Sequence, residues 1–148
     1  MDVPQDLGHL FACCVHLGRQ YGMNLLRQKG YDVTPVQTQT LVYLSLCREA
    51  VNQRDLEREL RLRPSTVNGI VNRLETKGYL FRRASPVDGR CRLVSLTDAG
   101  REKVDAFRSS LVATNRRLCA VLTAEEQVQL GDMLSRIIAD LENEVNKA

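Results

Sequence analysis

The sequence predicts a mostly helical α+β fold, and three observations lead there. Apolar residues recur at spacings of three and four through most of the chain, which is the helical period. Capping residues, prolines and glycines interrupt that pattern at intervals that suit helix ends. Only between residues 79 and 96 does the pattern change to two short strands around a turn. The 148 residues, 43% of them hydrophobic, suffice for one domain with an ordinary core. The longest apolar run, residues 41–47, is broken by Ser45 and is too short to cross a bilayer.

The first helix is expected over about residues 5–28. Leu7, Leu10, Phe11, Cys14, Leu17, Tyr21 and Leu25 form its apolar stripe, Gly18 and Gly22 weaken it, and Gly30 stops it. Thr34 followed by Pro35 is a cap with proline at the first helical position. The helix it opens, to about residue 48, is apolar on nearly every side and should be buried. Asn52 caps a short helix to Leu60, with Leu56 and Leu60 inward. After a turn through residues 61–64, residues 65–77 form a helix with Val67, Ile70, Val71 and Leu74 on one face, ended by Gly78. Strands follow at residues 79–83 and 91–96, separated by Ser85-Pro86-Val87-Asp88-Gly89. Thr97 caps a helix with Val104, Phe107, Leu111, Leu118 and Val121 inward. Thr123 and Glu126 form a capping box for the last helix, which carries Leu130, Leu134, Ile137, Ile138, Leu141 and Val145 on one side.

Helix, turn, helix, hairpin is the order of a winged helix-turn-helix, whose second helix lies in the major groove of DNA. With its four apolar residues turned inward, that helix offers Ser65, Gly69, Asn72 and Thr76 outward and Thr66, Asn68 and Arg73 on the flanks. This face is small, polar and free of carboxylates over two turns. Asn suits adenine, Arg suits guanine, and Ser or Thr suits phosphate or a base edge. Gly69 is costly inside a helix, which suggests that another backbone approaches closely there. Arg82, Arg83, Arg90 and Arg92 make the hairpin basic, and Asp88 is expected to hold a wing arginine in place. Charge is distributed to match: residues 54–92 hold ten Lys/Arg against five Asp/Glu, whereas residues 121–148 hold two against six.

Asp88-Gly89-Arg90 followed by Leu96-Thr97-Asp98-Ala99-Gly100 resembles the wing signature of the MarR family of regulators. Leu74-Glu75-x-Lys77-Gly78-Tyr79-Leu80, Arg82-Arg83-x-Ser85-Pro86 and Thr34-Pro35-Val36-Gln37 resemble further stretches of that family. The resemblance spans essentially the whole chain. It implies an α+β winged-helix fold and a homodimer built from the N- and C-terminal helices. It also implies a palindromic double-stranded DNA operator, usually bound for repression, and release by a ligand or by oxidation. Carried over by position, Ser65, Thr66, Asn68, Asn72 and Arg73 would meet the major groove, Arg90 the minor groove, and Asp88 would orient wing arginines. Gly89 departs from the pattern, since many members have a second arginine there. The organisation expected is one domain, residues 1–148, with dimerisation helices at about 5–30 and 97–146 and the winged helix-turn-helix at about 34–96. Three amphipathic helices flanking the small DNA-binding unit support the dimer independently.

Five cysteines, an odd number without CxxC spacing, argue against disulfides and a zinc site, and neither cofactor nor metal is expected. The acidic N-terminus carries no signal-peptide pattern, so a cytoplasmic protein is expected. The signal stays open. Cys14 falls on the apolar stripe of the first helix and suits an inert core thiol. Cys13 flanks it beside His9 and His16, where a thiolate could be activated for redox sensing or could bind a metal, or the face could simply be solvated. Cys47, Cys91 and Cys119 suit packing. A small apolar or phenolic ligand is the other candidate, implied by the resemblance. A winged-helix module for protein partners would call for an apolar outer face on its second helix. No nucleophile elbow, phosphate loop or metalloprotease pattern points to an enzyme.

Overall fold

The computed structural model describes residues 6–88 and 91–147. Helices α1 (Leu7–Gln28) and α2 (Pro35–Leu46) come first, then strand β1 (Val51–Asn52) and helices α3 (Gln53–Leu60) and α4 (Pro64–Thr76). Strands β2 (Leu80–Ala84) and β3 (Arg92–Leu96) precede the long helices α5 (Asp98–Cys119) and α6 (Ala124–Lys147). The sheet is antiparallel in the order β1-β3-β2, with Leu80 opposite Leu96 and Val51 opposite Val94. This is a winged helix-turn-helix: α3 and α4 form the two-helix unit, and β2 and β3 form the wing.

The caps read from the sequence are in place. Thr34 Oγ1 accepts from the Gln37 N–H while Gln37 Oε1 accepts from the Thr34 N–H, a complete capping box at α2. Asn52 Oδ1 accepts from the Arg54 N–H at the start of α3, and Thr123 and Glu126 bond reciprocally at the start of α6. Asn52 also belongs to β1, the strand that the sequence reading lacks. Two residues are too few to show a period, and only pairing with β3 makes them a strand.

The chain divides into two compact units, one of residues Tyr21–Leu111, the other of the terminal stretches through Gln20 and from Val112. In the first, Leu41, Leu44, Leu56, Val67, Val71, Leu74, Leu80 and Val94 form a closed core. Gly100 closes one side of it. A Cβ there would overlap the Tyr79 carbonyl oxygen and crowd Leu96, which explains the glycine four residues after Leu96. The Thr97 hydroxyl joins the same corner, accepting from the Gly100 N–H and donating to the Gly78 carbonyl.

The second unit is open. No residue of α6 is buried. Leu118 and Val121, expected inward, are 47% and 78% exposed, and Leu111, at the edge of the first unit, is 52% exposed. Among the described residues, little covers these side chains. Gly18 is the exception, buried against Leu118 and Thr114. Among the described residues, no helix is long and apolar enough to cross a membrane.

Candidate nucleic-acid interface

Helix α4 begins at Pro64, which supplies the right φ and lacks the N–H that a helix start leaves unpaired. It ends in a full Schellman motif. Gly78, at φ +75°, donates to the Glu75 carbonyl, and the Tyr79 N–H reaches back to Leu74. Val67, Ile70, Val71 and Leu74 are buried, which fixes the rotation of the helix about its axis. That rotation leaves Ser65, Thr66, Asn68, Asn72 and Arg73 exposed. Open space surrounds the position a Cβ of Gly69 would take. Among the described residues, then, no backbone of another segment approaches it.

Asp32, in the turn before α2, holds α4 from behind. Its carboxylate meets Lys103 Nζ at 3.0 Å, Lys77 Nζ at 3.2 Å and the Tyr79 hydroxyl at 2.8 Å. Lys103 also lies over the rings of Tyr31 and Tyr79, 5.7 and 5.1 Å from their centroids. Burial by itself would raise the Asp32 pKa, but hydrogen bonds from Lys103, Tyr79 and Lys77 hold the carboxyl well below the usual range. The end of α4 is thereby tied to both α5 and the turn after α1.

On the outer side, Arg82 of β2 departs from expectation. The sequence makes it one of four basic wing residues, but its guanidinium lies along α4. Nε and Nη2 reach Glu75 Oε2 at 3.0 and 2.5 Å, Nη2 also reaches Asn72 Oδ1 at 2.7 Å, and Nη1 reaches Asn68 Oδ1 at 3.3 Å. The Arg82 backbone N–H adds a bond to Glu75 Oε1. The side-chain bonds from Arg82 hold Glu75 below the ordinary glutamate pKa. Residues 68, 72 and 75 fall on one stripe of a helix, so a single planar fork can serve all three. Spacing in the sequence hints that Glu75 is on this face, but not which arginine meets it.

In the wing, the Ser85 hydroxyl accepts from the Val87 and Asp88 N–H groups, and the Ser85 N–H donates to the Cys91 carbonyl. Asp88 Oδ2 accepts from the Cys91 thiol at 3.2 Å, a contact the sequence did not suggest. Gly89 and Arg90 lie outside the described residues, and so does the expected Asp88–Arg90 pairing. Cys91 precedes β3 and is not its first residue, because ladder pairing starts at Arg92.

In α1 the expected order of the thiols is reversed. Cys14 is exposed, because the stripe it shares with Leu10 and Phe11 is uncovered in this chain, so it is not a core thiol here. Cys13 is half-buried, with Sγ 3.4 Å from His9 Nε2. Among the described residues, no three His, Cys, Asp or Glu side chains gather as a metal site would need.

Residues 31–90 match the family model described as MarR family. YdgJ of Bacillus subtilis, an uncharacterised HTH-type transcriptional regulator, is 30% identical over 114 residues, covering 77% of this chain and 68% of its own. The chain belongs to the MarR family. An HTH-type transcriptional repressor of Mycobacterium tuberculosis is 29% identical over 90 residues, 61% of this chain and 65% of its own length. These alignments thus span about two thirds of the relatives. Among solved MarR-family structures, MepR of Staphylococcus aureus, a regulator of the multidrug efflux pump MepA, superposes with a TM-score of 0.81 at 27% identity, over 90% of this chain and 97% of that one. A MepR mutant bound to an oligodeoxyribonucleotide gives 0.76 at 27% identity, over 93% and 99%. MepR bound to ethidium bromide gives 0.70 at 28%, over 90% and 95%.

Proposed function

We propose that this MarR-family chain is a sequence-specific DNA-binding repressor that grips a palindromic operator as a homodimer and lets go when a small molecule binds. The observation that carries this reading is the outer face of α4. Its exposed Ser65, Thr66, Asn68, Asn72 and Arg73 suit base edges and phosphates, and the apolar face that a protein-binding module would need is absent from it. Asp88 and Arg90 serve the wing, with Arg90 in the minor groove, where negative potential favours a guanidinium. The terminal helices, about 5–30 and 97–146, form the dimerisation region. Their uncovered stripes, Leu7, Leu10 and Phe11 in α1 and Ile137, Leu141 and Val145 in α6, support it. A two-fold dimer sets its recognition helices about 34–36 Å apart, one turn of DNA. The protein acts in the cytoplasm as a binding protein and not as an enzyme.

For the releasing signal, the structure of MepR bound to ethidium bromide supports a small apolar or phenolic ligand. The short Cys13–His9 contact supports a second reading, in which oxidation of Cys13 is the signal and the exposed Cys14 is its neighbour.

Selection of bound fragments from the source genome by the purified protein tests both. Enrichment of a palindrome with half-sites one DNA turn apart is the expected result. No enriched site would overturn the DNA-binding reading. Release by aromatic cations or phenols but not by peroxide supports the ligand signal, and release by peroxide that is lost in Cys13→Ser supports the thiol. Arg90→Ala is expected to weaken binding across sequences and lower the salt slope, while Asn72→Ala relaxes base preference.

A further inference from the structure

The contacts of Arg82 settle the orientation of two groove-facing side chains, and orientation decides what an asparagine can read. A guanidinium carries only donors, so whatever atom of a carboxamide faces it must be the oxygen. Arg82 meets Oδ1 of both Asn68 and Asn72, at 3.3 and 2.7 Å. The NH₂ end of each carboxamide is turned away from the fork, and neither donates to any described residue. Glu75 completes the arrangement. It takes two side-chain bonds and one backbone bond from Arg82, which anchors the guanidinium in one plane. It also has its own charge compensated beside a polyanion.

We propose that Arg82 is a specificity-determining positioning residue that makes Asn68 and Asn72 present NH₂ donors, and not their oxygens, to the base edges. Resting on the DNA-reading role of α4, this goes beyond it by naming the chemistry read. Free asparagine prefers adenine, its oxygen accepting from the N6–H and its NH₂ donating to N7. With each oxygen turned toward Arg82 and one of its two lone pairs taken, the pair favours acceptor atoms: N7 and O6 of guanine, O4 of thymine, N7 of adenine. Cytosine, which offers its N4 donor in the major groove, is disfavoured at these positions. Lysine could not take the place of Arg82, because a point charge on a flexible stem cannot hold three acceptors in one plane.

The test is the same fragment selection run with the parent protein, Arg82→Lys, Asn72→Ala and the double variant, with thermal melting of each. Arg82→Lys keeps the charge and removes the fork, so it separates geometry from electrostatics. We expect acceptor-rich bases at the positions that Asn72→Ala relaxes. Arg82→Lys should relax the same positions by at least about fivefold, roughly the lower bound for one good base contact. The double variant should relax them no further than Asn72→Ala alone, as expected for two residues acting through one contact. Glu75→Gln keeps Arg82 but weakens its anchor. It should relax the same positions less, and it serves as the test should Arg82→Lys melt below assay temperature. An operator in which Arg82→Lys leaves every base preference unchanged would overturn the inference while leaving the DNA-binding reading intact. So would parent preference for cytosine at the Asn72 positions. A parent protein that enriches no sequence would overturn both.

Discussion

The two units of this chain use apolar residues at the same helical spacing to opposite effect. Between Tyr21 and Leu111 the stripes of α2, α3 and α4 meet each other and the sheet, and every buried hydrophobic side chain of the described residues lies there, from Leu26 to Val104. In the terminal stretches the stripes are as regular, yet Leu10, Phe11, Leu130, Ile137 and Leu141 stay exposed. The difference is not one of composition. A short helix followed by a tight turn brings its stripe back onto a neighbour, as α3 and α4 do through residues 61–63. Helices of 22 and 24 residues, such as α5 and α6, carry far more stripe than one chain folds over. An amphipathic period thus states that a face is to be buried without stating by what.

Leu74→Ala removes a fully buried side chain and should cost about 2–5 kcal/mol in unfolding experiments. The double variant Ile137→Glu with Leu141→Glu should leave the winged unit folded by circular dichroism but halve the mass seen by sedimentation. A dimeric mass in that variant would mean that the α6 stripe is not the interface.

Asp32→Asn should have a middling effect. It removes the carboxylate that joins Lys77, Lys103 and Tyr79, and with partial exposure discounted the melting temperature should fall by about 2–4 °C at pH 7. Because the folded Asp32 pKa is depressed, its contribution is present above the unfolded value near 3.8 and is lost as pH falls through that value toward the folded one. The gap between variant and parent should therefore narrow below about pH 4. A gap independent of pH would assign the effect to packing.

Gly69→Ala should have the smallest effect on stability and the most telling sign. With open space around the added methyl and a better helix former, melting should rise by up to the equivalent of about 1 kcal/mol. Under the proposed groove-reading role of α4, affinity for the operator should fall, because the added methyl stands on its outer face. A variant both more stable and equally tight would show that Gly69 serves neither the fold nor the interface.

Most of the fold and part of the site can be read from the residues in order. The Thr34 cap, the Thr123 box, the Asn52 cap, the Gly78 stop and the inward face of α4 depend on neighbours within four or five positions, and all appear in the structure. The exposed face of α4 follows by subtraction. Strand β1, the exposure of Cys14 and the fork of Arg82 do not follow, because each depends on what another segment supplies or fails to supply.

By itself the sequence determined where helices start and stop, which face of α4 turns outward, and that its middle is basic. These rest on short-range physics: the helical period, capping hydrogen bonds and the φ of glycine and proline. Only the tertiary structure decided that Asp32 binds Lys103 across most of the winged unit, that Gly100 must lack a Cβ beside Tyr79, and that Arg82 and not Arg83 turns toward Asn68 and Asn72. A donor or acceptor within reach in space can be anywhere along the chain, so the local pattern that sets a side chain's direction cannot name its partner.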